Sequence, residues 1–227
     1  VNLASKKLTN LTKGKVFYNE LNDSPVNPRS YGLAGWTEDD TSILLYDRFD
    51  IWQFNPENGE NTNLTNGRNS KTRYRYLELD KEERFLNSNQ KWLFYTFNET
   101  NKNSGYYEFN PKNNKGKQLI SDAFRFSAPI KAKDTKNVIF TKQSFEIYPD
   151  IVYSDLSFKK QLKISKANPQ QSHYNWGTAE LVHWTSLDGD ALTGMLIKPE
   201  NFDPSKKYPM IVNFYEKSSD GLFNHKA

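Results

Sequence analysis

A pattern of four short strands recurs through most of this 227-residue chain and constrains its fold more than any other feature. In the first copy, residues 31–36 (Tyr-Gly-Leu-Ala-Gly-Trp) are small and apolar, suited to an inner strand where space is tight. Glu38-Asp39-Asp40 turns the chain, residues 43–47 make a second strand, and residues 50–54 alternate as a third. Asn55-Pro56-Glu57-Asn58-Gly59 is a turn signal, followed by a short polar fourth strand over 61–65. Residues 92–97, 105–109 and 117–121 repeat the second, third and fourth strands, and Asn110-Pro111-Lys112-Asn113 copies the turn. A third copy runs over 127–132, 137–141, 150–154 and 161–165. Leu8-Thr9-Asn10-Leu11-Thr12 has the form of the fourth strand of a further copy. The spacing, roughly 45 to 50 residues, is that of propeller blades.

A four-stranded blade buries an apolar face against each neighbour, so one blade cannot close its own core. The expected fold is mainly β: a partial β-propeller of three blades plus a remnant over residues 1–172. Three copies are too few for a ring, since closed propellers have about four to eight blades. An irregular β-sandwich is the alternative. The shared Asn-Pro turns and the Leu-Thr and Ile-Ser strand ends favour blades.

The core material is ring-rich, with 15 Phe and 13 Tyr, which suits strands better than helices. Cysteine is absent, which excludes disulfides, thiolate chemistry and Cys-based zinc sites. The net charge of +4 is modest and its sources are interspersed with acids. Arg68, Lys71, Arg73 and Arg75 with Tyr74 and Tyr76 superficially suggest a nucleic-acid surface. They read better as a solvated strand edge, and no nucleic-acid partner is expected. No run of about 18 apolar residues marks a membrane span. No apolar stretch follows Lys6-Lys7 as in a signal peptide, and Met does not open the chain, so a mature protein or a fragment is expected. The compartment is not fixed, with a periplasmic or secreted location favoured over a cytoplasmic one. The oligomeric state is not fixed either. The sequons at Asn10, Asn63 and Asn98 carry little weight in an Asn-rich chain.

Candidate chemistry before residue 180 is sparse. Glu38-Asp39-Asp40 reads as a solvated turn rather than a metal cluster, and Glu82-Glu83-Arg84 as a charged loop. Asp47, Arg48 and Asp50 surround a bend between two strands, where local ion pairing is expected and a funnel lining is the alternative. His173, His183 and His225 share no ligand spacing, and His183 is expected to face water. Gly-rich phosphate loops and a Gly-x-Ser-x-Gly elbow are missing, and no serine is assignable to a triad. No cofactor and no metal are expected.

The tail differs. Residues 181–186 and 191–198 read as two strands around a turn at Asp188-Gly189. Pro199 and Pro204 mark a link, and Tyr208-Pro209-Met210-Ile211-Val212-Asn213-Phe214-Tyr215 has the form of a strand buried on both faces. A second domain is expected to begin here, over residues 173–227.

The block from Ala179 to Pro199, with Asp188-Gly189, Gly194 and Leu196, followed by Tyr208-Pro209, resembles the lead-in to the hydrolase domain of the prolyl oligopeptidase family of serine peptidases. The resemblance implies a propeller followed by the opening strands of an α/β-hydrolase domain, and a peptide substrate. In several branches of that family the strand after Tyr-Pro ends in a tyrosine whose hydroxyl helps form the oxyanion hole. Tyr215 holds the matching position, and a core aromatic ending a buried strand is the other reading of it. Many relatives continue with Gly-Gly or Ala-Gly, whereas here Glu216-Lys217-Ser218-Ser219-Asp220-Gly221 follows. The family's Ser, Asp and His are expected downstream of Ala227, and His225 comes too early to be the triad base. The resemblance thus implies part of a serine peptidase, gated by its propeller, inert without the remainder of the same polypeptide. The alternative is a non-catalytic propeller serving as a binding or scaffold module.

Overall fold

A computed structural model describes residues 5–214 and 217–226. Strands β1 (Leu33–Trp36), β2 (Ile43–Tyr46), β3 (Ile51–Phe54) and β4 (Asn61–Asn63) form an antiparallel sheet in that order. Strands β5 (Thr72–Tyr76), β6 (Trp92–Asn98), β7 (Ser104–Asn110) and β8 (Lys115–Asp122) form a second. After the two-residue β9 (Arg125–Phe126), a third sheet runs β10 (Ile130–Lys131), β11 (Asn137–Gln143), β12 (Asp150–Asp155), β13 (Leu162–Lys163). A separate hairpin pairs β14 (Thr178–Thr185) with β15 (Ala191–Lys198). The first two sheets are open four-stranded meanders, and the third is such a meander with β9 added against β11, the form of propeller blades. Among the described residues there is no α-helix, only two 3-10 turns, Pro169–His173 and Ser218–Gly221. Leu8 to Thr12 lies outside any strand. A strand there needs a partner, and none of the described strands pairs with it.

Contacts divide the chain into two compact units, Val1–Asn98 with Tyr106–Leu119, and Glu99–Gly105 with Ile120–Ala227. In the first unit, Leu44, Ile51, Leu64, Tyr74, Leu86, Trp92, Phe94 and Phe109 form one buried cluster, and Phe17, Ile43 and Phe54 another. Ile43 and Leu44 are neighbours on β2, so their side chains leave opposite faces. Both are buried, which means that β2 is covered on its two sides as an internal blade must be. The rings of Trp92 and Phe109 stack at 5.8 Å, and those of Phe94 and Phe109 at 5.7 Å. Such pairs add about 0.5–1.5 kcal/mol each beyond area burial.

Strand β5 corrects one expectation. Its sequence Thr-Arg-Tyr-Arg-Tyr lies at the edge of its sheet, as a charged edge should, yet it is not solvated. Tyr74 is buried, and Arg73, Arg75 and Tyr76 are half-buried. The Arg75 guanidinium donates to the carbonyls of Tyr74, Asp47 and Arg48, and lies 4.7 Å from the Tyr46 ring. Burial lowers its pKa, and burial pushes Tyr76 up to about 12. Long cationic stems laid on rings let a charged sequence line an inner strand.

Asp50 corrects a second. It is 1% exposed and holds backbone rather than a cation. It accepts from the Thr65 hydroxyl at 2.7 Å and from the N–H groups of Gly67 and Arg68, while Thr65 Oγ1 accepts from the Ile51 N–H at 3.1 Å. The third blade repeats this device at the same 15-residue separation: Asp150 accepts from Ser165 Oγ at 2.6 Å and the Ala167 N–H at 2.8 Å, and Ser165 accepts from the Ile151 N–H. In the second blade, buried Ser104 donates to the Phe124 carbonyl at 2.7 Å and accepts from the Phe126 N–H at 3.1 Å. Each clasp ties the start of the third strand to the chain leaving the fourth. Backbone that would otherwise be orphaned under the next strand is thereby satisfied. Asp47 sits beside the first clasp and pairs with Arg68 at 3.2 Å, 21 residues away in the sequence.

In the second unit the rings of Phe126, Phe140 and Phe158 pack in series at 6.0 and 5.6 Å. Here β12 is buried on one face only: Asp150, Val152 and Ser154 are inside, and Ile151, Tyr153 and Asp155 are exposed. Across the sheet, Ile130, Ile139, Tyr153 and Leu162 pair in one line and are all exposed. The third blade therefore presents an uncovered apolar face, in contrast to β2.

Asp150 makes this unit acid-sensitive. Burial pushes its carboxyl up, but hydrogen bonds from Lys163, Ser165 and the Ala167 N–H outweigh that and bring it down to about 2. A carboxyl whose pKa is depressed by folding contributes stability above its unfolded pKa, about 4, and loses it as pH falls toward 2. Thermal unfolding of this unit is expected to shift downward across that window, and Asp150→Asn is expected to flatten the shift. An unaltered pH profile in Asp150→Asn would remove the carboxylate from the account.

Candidate functional site

Tyr215 lies outside the described residues, so the site is built from what surrounds it in the chain. The approach is the β14–β15 hairpin, paired in unbroken register from Thr178↔Lys198 to Thr185↔Ala191. Gly189 sits in its turn at φ +90, a conformation that glycine adopts without penalty, and its N–H donates to the Ser186 carbonyl at 3.1 Å. Asp188-Gly189 is thus a turn, as the sequence indicates. Gly194, opposite Val182, leaves room for the diagonal Trp184, because a Cβ there would fall 2.9 Å from the indole. His183 is exposed on the hairpin, with Nδ1 3.0 Å from Thr193 Oγ1, and His173 is exposed as well.

Beyond Pro199 the link is pinned by stacking of Phe202 on Tyr208 at 5.0 Å, and by the Asp203 N–H donating to the Tyr208 hydroxyl at 3.0 Å. The next stretch departs from expectation. Residues 208–214 form no strand, and Ile211 and Phe214 are 95% and 88% exposed. The cause is the mode of folding: a strand buried on both faces exists only between paired neighbours, which supply its hydrogen bonds and cover its faces. Among the described strands none flanks it. The α/β-hydrolase portion is accordingly not seen. Such an unpaired apolar run is a template for association. The 227-residue chain is expected to self-associate in sedimentation experiments, and Ile211→Lys with Phe214→Lys to reduce it. A monodisperse monomer of the unaltered chain would contradict this.

Residues 217–226 return to the second unit. Ser219 and Leu222 are buried. Lys102 Nζ meets Asp220 Oδ1 at 2.8 Å. The His225 ring stacks on Trp176 at 4.9 Å and 7°, with Tyr148 edge-on at 5.2 Å. The His225 N–H donates to Gln143 Oε1 at 2.9 Å, and Trp176 Nε1 donates to the Phe145 carbonyl. His225 is therefore a packing residue here. Local pattern could not have found the Lys102–Asp220 pair, whose members stand 118 residues apart. An unusual lysine in a turn of asparagines was the visible signal.

The remaining candidates do not converge. Glu38, Asp39 and Asp40 are exposed in their turn, where Asp39 accepts from the Thr41 hydroxyl at 2.8 Å. Glu82 is exposed and Glu83 half-buried. Among the described residues no group of His, Asp and Glu is placed to hold a metal.

No family model and no curated protein matches the sequence. A solved structure from Bacteroides ovatus, assigned as a dipeptidyl aminopeptidase IV, matches with a TM-score of 0.57 and 18% identity over 78% of this chain. Over the matched residues the chain shares its fold with that structure. The chain spans 27% of that structure's length. The isopeptidase AtxE2 (TM-score 0.47, 12% identity, 78% of this chain and 25% of that one) and a prolyl endopeptidase (0.38, 12%, 75% and 31%) match less well. At these identities the likeness is one of fold, and it bears out the partial propeller.

Proposed function

We propose that this chain is part of a propeller-gated serine peptidase acting on short peptides. The observation that carries the reading is the order of parts: propeller blades, then a hairpin with the Asp-Gly turn, then an apolar run built to be buried and here unpaired. The chemistry assigned to Tyr215 is donation from its phenol to the oxyanion that develops on the scissile carbonyl. A serine, with a histidine as base, would come from the remainder of the same polypeptide. That remainder would also supply the strands that flank residues 208–214 and a blade to cover Ile130, Ile139, Tyr153 and Leu162. Under this reading residues 1–172 are the propeller segment and 173–227 the approach to the hydrolase, and the chain is inert alone.

Translating the coding sequence past Ala227 tests the proposal. A Gly-x-Ser-x-Gly elbow followed by Asp and His is expected. A reading frame without them favours a non-catalytic binding module instead.

A further inference from the structure

We propose that Lys102 and His225 are positioning residues that anchor segment 217–226 and so fix the chain immediately after Tyr215. Lys102 is 7% exposed and has φ +66. That left-handed conformation favours Gly or Asn, and asparagines stand on both sides of it, with the Asn103 N–H capping onto Asn101 Oδ1 at 2.9 Å. A lysine in this place carries backbone strain and desolvation together. What it gains is the 2.8 Å contact with Asp220, five residues after Tyr215 in the sequence. A buried ammonium holds its carboxylate hard, because losing the partner strands the charge. His225 supplies the second foothold. Its two ring nitrogens are shielded and make no hydrogen bond among the described residues, so the imidazole serves as a plate against Trp176 and Tyr148. Between the footholds Leu222 is buried. The chain thus passes from an exposed run at 209–214 to a docked segment, with Tyr215 at the junction in sequence. Oxyanion donors act only when held in place before the charge develops.

The consequence for catalysis rests on the peptidase reading; the anchoring does not. Both are tested in the full-length protein with Lys102→Met, with Asp220→Asn as a near-isosteric second variant, and with the exchanged pair Lys102→Asp/Asp220→Lys. Amide hydrogen exchange in 217–226 is expected to rise about 10–100-fold in the single variants while β11 and β12 keep their protection. Unchanged exchange overturns the anchor. In peptide hydrolysis, Lys102→Met is expected to lower kcat about tenfold with KM nearly constant, and to do so much less in a Tyr215→Phe background. Partial recovery in the exchanged pair supports the ion pair itself. Lost protection with unaltered kcat, or an equal loss with and without Tyr215, overturns the positioning role. Absence of hydrolysis in the unaltered protein overturns the peptidase reading, and the exchange result still decides the anchor.

Discussion

Tyr215→Phe in the full-length protein is expected to lower kcat for short peptides by about 10–1000-fold, the range for removing one oxyanion donor. The substitution keeps the ring and deletes only the hydroxyl. KM is expected to change little, because the hydrogen bond is strongest when negative charge has developed on the carbonyl oxygen. A core role for Tyr215 predicts the opposite pattern: unaltered turnover, and a loss of stability with Tyr215→Ala but not with Phe. Steady-state kinetics on the two variants separates the readings. Unchanged kcat in Tyr215→Phe would remove the residue from the mechanism.

The second large effect concerns the fold. Asp50→Ala is expected to destabilise the first unit by about 3–5 kcal/mol, the range for leaving several buried donors without an acceptor. The Thr65 hydroxyl and the N–H groups of Gly67 and Arg68 all point to that carboxylate. At a site 1% exposed these donors have no bulk water to turn to. Asp50→Asn keeps the volume and one carbonyl acceptor, so it should cost less. Denaturant unfolding followed by the ring-rich core gives the comparison, and a loss under about 1 kcal/mol in Asp50→Ala would show that the clasp is incidental.

Much of the blade architecture was legible because strand alternation and Asn-Pro turns are local signals. Strands β2, β3, β6, β7, β11 and β12 lie where the repeats put them. Strand β5 was not legible. Thr-Arg-Tyr-Arg-Tyr reads as solvent-facing until Tyr46 and the bend carbonyls are there to take Arg75. The clasps were half-visible: Asp50 with Thr65 and Asp150 with Ser165 share a spacing, but only the fold shows that both carboxylates are buried against backbone. Residues 208–214 fail in the other direction. Their composition reads as a strand buried on both faces, whereas the described run is exposed and unpaired, because composition cannot supply the neighbours that bury a strand. The anchor at Lys102 and His225 depends on contacts distant in sequence, which no window of residues contains.

The most direct test of the central claim is active-site labelling of the full-length protein with a fluorophosphonate, followed by mapping of the modified residue. One serine in a Gly-x-Ser-x-Gly elbow, C-terminal to Ala227, is expected to carry the label, and peptide hydrolysis is expected to fall in proportion to labelling. A folded full-length protein in which no serine is labelled would contradict the peptidase reading and leave the blades as a binding module.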